Sequence, residues 1–547
     1  MGFKKKYWVT IIIITISLLV GIVIGTFISG KSFGSKFFLS KENKIDTILG
    51  IINEEYVDTV QLISLIENAL PHIIDELDPH SSYIPSSQSA HYSEDMEGRF
   101  GGIGIEINFY LDTLVIVRVY PGSPAGQAGL QAGDRIVLIE DRDYLAEGLS
   151  IDEVTDLLKG KIGTKVLVHV KKYGQAETKP FSLERQSIPM ETIVSYRVDE
   201  NTGLIKIVEK FTHKTHDEFI QSMAKLKSEG CTQFIIDLRE NGGGAMDAAI
   251  NIANELLPAG NMIVYSEGKA FPEQPFFANG TGALRQEPLV ILLDQFSASA
   301  SEILAGAVQD NDRGLIVGRR SYGKGLVQNH IELADGSALR LTVARYYTPS
   351  GRNIQRPYEL GKAKEYNQKW FDQLVSGESF SKDSIKINEE LIFETMGGRT
   401  VYGGGGIVPD IFVPLDTTSM TSYYMNLSNQ DIFYKFAFYY SDTNRELLGQ
   451  FKTSDEMLEY LREEPILWEI VSFAEQQGIR RRSNLIYKSS KQILANTHAH
   501  ILYNFFGNEA FFPVYMSYDP MIETALQALK NGNALPTNIK KETYLDN

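Results

Sequence analysis

A compact group of potential nucleophiles is the run SASAS at 297–301. It follows the apolar PLVILLDQF and precedes the amphipathic EILAGAVQD, which places it at a strand-to-helix junction. A serine there presents its oxygen at a sheet edge, beside the N–H groups that open a helix. That geometry suits a nucleophile, but serines also cap helices often, and pattern alone does not separate the two roles or choose among Ser297, Ser299 and Ser301. A serine nucleophile needs a base, and the histidines are poorly placed for it: His213 and His216 fall in a polar turn, His330 in a strand, His498 and His500 near the C-terminus. Lysine is the other route, because burial disfavours the ammonium and lets the amine take a proton near neutrality. Lys324, between Gly323 and Gly325 and flanked by strand-like stretches, fits that description. Ser321 and Lys324, or Ser266 and Lys269, also have S-x-x-K spacing, but Gly323 and Gly268 inside those tetrads argue against the helix such a motif occupies.

Other chemistries are disfavoured. GRRSYGKG at 318–325 matches the P-loop spacing except at its last place, where Gly325 stands instead of Ser or Thr, and a strand pattern follows rather than a phosphate-binding helix. Cys231 is the single cysteine, so no intrachain disulfide and no cysteine-based zinc site can form. His213-x-x-His216 lacks a third ligand, and neither metal nor cofactor is expected. A net charge of −16, from 53 basic and 69 acidic residues, gives no global attraction for nucleic acid.

The elements that must position these groups come from a chain of 547 residues, enough for roughly three to five folded units. With 43% hydrophobic and 22% charged residues it has the composition of a globular protein. An α/β multidomain protein is expected. Residues 1–30 hold Lys4, Lys5 and Lys6 followed by an uncharged apolar stretch, 7–29, that reads as a transmembrane helix with the body outside the cytoplasm, the alternative being a cleaved signal peptide. Residues 31–97 read as a helical arm, with Ile45, Ile48, Leu49, Ile52, Leu62, Leu65, Ile66 and Leu70 on inward faces. Residues 98–185 read as a small β-rich module with a helix at Ile151 to Leu158, and 186–415 alternate strands and helices as a largely parallel sheet requires. Residues 416–547 read as a helical C-terminal extension.

Four blocks carry a resemblance: FGGIG at 100–104, DLRENGGG at 237–244, the 297–303 run with YGKG at 322–325, and TPSGR at 348–352 followed by GGIVPD at 405–410. With LDPHS at 77–81 they make the chain similar, over about 41–415, to the carboxyl-terminal processing peptidases, tail-specific serine peptidases of the S41 family with a PDZ domain. The resemblance implies a ClpP/crotonase-like protease core with an inserted-style PDZ domain. It implies an endopeptidase that cleaves extracytoplasmic proteins near their C-termini, with the bacterial periplasm as its location. It makes Ser299 the nucleophile, Lys324 the base and Gln328 the residue that orients the lysine. Oxyanion donors carry over as the N–H groups of Ala300 and of Gly243 or Gly244, with Gly242 standing where the family often has proline, and Asp310 matches a structural aspartate near the site. The turn Gly101, Gly102, Ile103, Gly104 would present N–H groups to a terminal carboxylate, and the strand from Ile105 would pair with the tail. Val154, Leu157 and Leu158 would line the pocket for the last side chain. The expected partners are protein C-terminal tails and, through 7–29, the membrane; homo-oligomerisation is left open. Two rival readings, an inactive PDZ adaptor and a crotonase-type acyl enzyme, differ from this one in predicting no Ser299-dependent peptide cleavage.

Overall fold

The computed structural model describes residues 44–110 and 113–532, in two compact units, Met1–Ile73 and Ile74–Asn547. In the first, the helix Lys44–Glu55 and the start of the helix Leu62–Asp75 form where the periodicity predicts them, but neither contains a buried residue. Leu49, Ile52, Leu62, Leu65 and Leu70 are half-buried, and Ile45, Ile48 and Ile66 are exposed, so the faces expected to point inward are not part of a core. The expected transmembrane helix is corrected here, together with the membrane as a partner and a membrane-anchored location. Among the described residues no helix is long and apolar enough to cross a membrane, and the stretch 7–29 lies outside them.

In the second unit the β-rich module is a five-stranded antiparallel sheet in sequence order, Ile105–Tyr110, Thr113–Val119, Arg135–Ile139, Lys165–Lys171 and Thr178–Glu184. Its sequence logic is plain in KVLVHVK, where Val166, Val168 and Val170 are buried and the residues between them are not, the period of two that puts one face on a core. The helix Ile151–Leu158 is fixed at its start by a reciprocal Ser150–Glu153 capping box. The strands Arg99–Gly102 and Gln186–Pro189 pair antiparallel at the base, so the chain enters and leaves the module side by side and the module is an insertion.

The α/β body has two sheets. One runs Ile411–Phe412, Leu315–Gly318, Leu289–Leu293, Gln233–Asp237, Thr202–Ile207, Ile193–Arg197, all parallel except the last edge strand. Every residue of LVILL at Leu289–Leu293 is buried, as a parallel strand covered on both faces requires. The helices Met246–Leu256 and Ala300–Asp310 contribute to the core on one face. The other face is covered by Pro520–Lys530, the last described helix of the C-terminal extension, through Met521, Ile522, Ala525, Ala528 and Leu529. The second sheet is built on the long strand Ala338–Tyr347, paired antiparallel with Ser82–Ile84, Met262–Glu267 and Leu326–Glu332. The expected ClpP/crotonase-like core is corrected as well: the α/β body is this pair of sheets, the first closed by a helix from the far end of the chain and the second completed by residues 82–84 of the arm.

Candidate active site

The strand Gln233–Asp237 ends on a fully buried carboxylate. Arg239 turns back to it with Nε at 2.9 Å and Nη2 at 2.7 Å, and Lys206 Nζ lies 3.6 Å away. Burial would raise the Asp237 carboxyl, but the two cations hold it at about 2. Beyond it the chain makes the glycine turn. Gly243 has φ 97° and lies so close to the serine loop that a Cβ would come within 2.7 Å of Ser299 Cβ, while a Cβ on Gly244 would meet Phe211 O at 2.1 Å. Asn241 ties this turn to the serine loop: its carbonyl accepts from Ala298 N–H at 3.0 Å and from Ser301 Oγ at 3.0 Å, and its Oδ1 accepts from Gly243 N–H at 3.0 Å.

The serine run is sorted by its partners. Ser297 Oγ donates to Leu238 O at 2.9 Å and Ser301 Oγ to Asn241, and both serines are buried. Ser321 Oγ, the alternative in the S-x-x-K tetrad, donates to Glu302 Oε1 at 2.5 Å. Ser299 is half-buried, holds φ 56°, and lines a cleft of about 510 Å³ together with Gly242, Gly243, Gly244, Lys324 and Gln328. A non-glycine residue in that backbone region is strained, the conformation of a side chain thrown out at a sharp strand-to-helix turn. Ala300 begins the helix Ala300–Asp310, so its N–H has no intrahelical acceptor.

Lys324 Nζ donates to Gln328 Oε1 at 2.8 Å. Burial pushes the ammonium down to about 8, with Arg340 repelling it further against the pull of Asp78 and Glu302. Gln328 Nε2 donates to His80 O at 2.5 Å, which fixes the amide so that its oxygen faces the lysine. Simple strand alternation does not bring the pair together: Lys324 sits in the loop before Leu326–Glu332, and the ladder is irregular between Val327 and Gln328. His80 itself is held neutral, at about 3, by burial and then by the Lys324 charge. His213 is on the cleft wall, its Nδ1 3.0 Å from Asp247 Oδ2.

Two residues that the sequence reading left without a role organise the centre. Glu302, buried on the serine helix, accepts from Ser299 N–H at 2.8 Å, Lys324 N–H at 2.8 Å, Gly323 N–H at 2.7 Å and Ser321 Oγ at 2.5 Å. It thereby joins the serine loop to the lysine loop. Burial pushes its carboxyl up to about 7, against four donors that favour the charged form. Tyr346 shares its hydroxyl proton between Ser299 O at 3.1 Å and Lys324 O at 2.6 Å. The spacing of Glu302 three residues after Ser299 is the one available signal, since it is that of a capping box. Nothing in the sequence marks Tyr346, which arrives from another sheet. Asp310 lies at the far end of the serine helix, where Arg352 Nη2 reaches it at 2.6 Å and Ser350 Oγ at 2.6 Å.

In the module, Ile105–Tyr110 is an edge strand and Ile151–Leu158 packs beside it. Gly101 and Gly102 belong to the paired strand Arg99–Gly102, and Gly101 N–H already donates to Glu94 Oε1 at 3.2 Å. Ile103, Val154 and Leu158 are buried in the module's core, leaving Leu157 and Ile105 half-buried at its margin, and Gly104 takes φ 74° against Ser123.

Residues 201–360 match peptidase family S41, residues 115–172 a PDZ domain, and residues 423–507 a family of unknown function. The chain is 35% identical over 309 residues to the carboxy-terminal-processing protease of Bartonella bacilliformis, covering 56% of this chain and 70% of that one. It is 35% identical over 295 residues to the carboxyl-terminal-processing protease of Synechocystis, covering 53% and 68%. Against the carboxy-terminal processing protease CtpA of Bacillus subtilis it is 31% identical over 350 residues, covering 63% and 74%. These matches identify the two-sheet body as an S41 peptidase fold with a PDZ insertion. The chain belongs to the carboxyl-terminal processing proteases, serine peptidases of family S41 that carry a PDZ domain.

Proposed function

We propose that this protein cleaves polypeptides near their C-termini with Ser299 as nucleophile and neutral Lys324 as general base. The observation that carries the reading is the buried lysine, pushed down to about 8 and bonded to Gln328 Oε1 in the cleft that Ser299 lines. In the first step Ser299 Oγ attacks the scissile carbonyl carbon while its proton passes to Lys324 Nζ. Gln328 accepts one N–H of the amine and so directs the nitrogen lone pair toward the serine. The oxyanion that forms is met by the N–H groups of Ala300 and Gly244; that of Gly243 is already used by Asn241. Collapse of the intermediate expels the new amine, which takes the proton back from Lys324, and leaves an ester on Ser299. Water, deprotonated by the same lysine, then hydrolyses the ester.

The PDZ insertion supplies the choice of end. An extended tail adds as a strand to Ile105–Tyr110, its carboxylate meets N–H groups in the 102–105 turn, and its last side chain sits near Leu157. Digestion of a peptide bearing a free apolar C-terminus tests the reading. Wild type should cleave it, and Ser299→Ala and Lys324→Ala should each lose about 10³-fold or more in rate. Cleavage surviving either substitution would remove that residue from its role.

A further inference from the structure

The C-terminal extension meets the body below the glycine turn. Arg239 lies three residues before Gly242 and is nearly fully buried. Its Nε and Nη2 go to Asp237, and its carbonyl accepts Lys206 Nζ at 3.0 Å. The remaining nitrogen, Nη1, donates to Oδ2 of Asp519 at 2.6 Å, and Met516 Sδ lies 3.4 Å from Nη2. Asp519 and Met516 both come from the extension, outside all three family matches. The ion pairs join two buried cations, Lys206 and Arg239, to two anions, buried Asp237 and half-buried Asp519, with Arg319 and Asp294 alongside adding one charge of each sign. Without Asp519 the cluster keeps an uncompensated positive charge.

The consequence for catalysis follows from what lies immediately downstream. Glu240 takes φ 63° and donates its N–H to Asp294 Oδ1 at 3.1 Å. Asn241 holds Ala298, Ser301 and Gly243 as described above, and Gly243 packs on Ser299. A shift of Arg239 therefore passes through two conformationally constrained residues into the surface that faces the nucleophile, with no flexible segment between to absorb it.

We propose that Asp519 of the C-terminal extension is a positioning residue for the peptidase reaction, fixing Arg239 and through it the glycine turn 242–244. The inference rests on the proposed role of Ser299 and the glycine turn. The two oxygens of Asp519 have separate tasks: Oδ1 accepts from Met521 N–H at 2.8 Å and Ile522 N–H at 3.2 Å, capping the helix Pro520–Lys530, while Oδ2 takes Arg239. Asparagine caps helices as well as aspartate, so Asp519→Asn keeps the cap and places an amide N–H₂ against the guanidinium.

The experiment compares wild type, Asp519→Asn, Asp519→Glu and Glu509→Gln in steady-state cleavage of one tail-bearing peptide, with thermal melts and binding of the free tail to each full-length chain. Glu509 pairs with Lys225 at an exposed position and breaks a contact of the extension away from the turn. Asp519→Asn should lose tenfold or more in kcat with KM and tail binding within twofold, Asp519→Glu should recover at least part of the loss, and Glu509→Gln should match wild type. Unchanged kcat in Asp519→Asn, an equal fall in Glu509→Gln, or a chain that no longer folds would overturn the inference, the last by making the pair structural. Absence of Ser299-dependent cleavage in wild type would instead overturn the proposed function itself.

Discussion

Two groups that the proposed reaction needs in their basic forms titrate in one pH range, and their combined effect on rate follows. Lys324 must be neutral to take the Ser299 proton; with its ammonium at about 8, about one molecule in ten carries the free amine at pH 7 and about one in a hundred at pH 6. Glu302 must be charged to hold its four donors; with its carboxyl at about 7, about one molecule in ten keeps that arrangement at pH 6. Both groups lose their active form as pH falls. The product predicts that kcat/KM drops about 1000-fold between pH 9 and pH 6, against about 100-fold from the lysine alone. A log–log plot should therefore have a slope near one between pH 7 and 8 and a slope approaching two below pH 7. Glu302→Gln removes one titration: its plateau should be lower, because a neutral amide cannot accept from all four donors, and its slope should not exceed one at any pH. The assay is kcat/KM for a fluorogenic peptide with a free apolar C-terminus in constant-ionic-strength buffers. A flat profile, or a single rise near the ordinary histidine value, would refute the lysine mechanism; a slope of one in wild type to pH 6 would refute the role of Glu302.

Gly243→Ala should keep the fold and lose about 100-fold or more in kcat, because its Cβ would press on Ser299 Cβ from 2.7 Å at a φ of 97°; circular dichroism beside steady-state kinetics checks both halves. Asp237→Asn leaves Arg239 and Lys206 without their central anion and should cost about 3–5 kcal/mol in urea unfolding. In wild type the folded-state pKa of Asp237 is depressed to about 2, so its contribution is complete above the ordinary value of 3.8 and fades as pH falls through about 2. For substrate choice, one peptide with a free apolar C-terminus, the same peptide amidated and a version ending in Asp should be cleaved in that order of preference; equal rates would reject recognition of the tail.

The parts of the fold legible in the sequence are those governed by local pattern. PLVILLD announces a strand covered on both faces, KVLVHVK a strand with one, and the serine run marks the junction where Ser299 stands. The pairing of Lys324 with Gln328 is implied by family likeness, and strand alternation does not supply it, since an irregular ladder lies between them. What stayed hidden depends on contacts far apart in the chain. Glu302 looks like a capping residue until the lysine loop folds over it, and His80 O, 248 residues from Gln328, sets the direction of an amide that no local signal fixes. The covering of the parallel sheet by Pro520–Lys530 and the Arg239–Asp519 pair across 280 residues are of the same kind. The arm shows the opposite failure: its helical period is real, but periodicity says nothing about burial when neither helix has a buried residue.

In the proposed mechanism Ser299 carries the acyl group and Lys324 makes its formation possible. Acid quenching of the full-length enzyme during turnover of a peptide ester, followed by intact mass measurement and mapping of the modified peptide, reads it directly. One acyl adduct is expected, located on Ser299 among the serines at 297–301, and none in Lys324→Ala under the same conditions. An adduct on Ser297, Ser301 or Ser321, or undiminished acylation in Lys324→Ala, would contradict the mechanism.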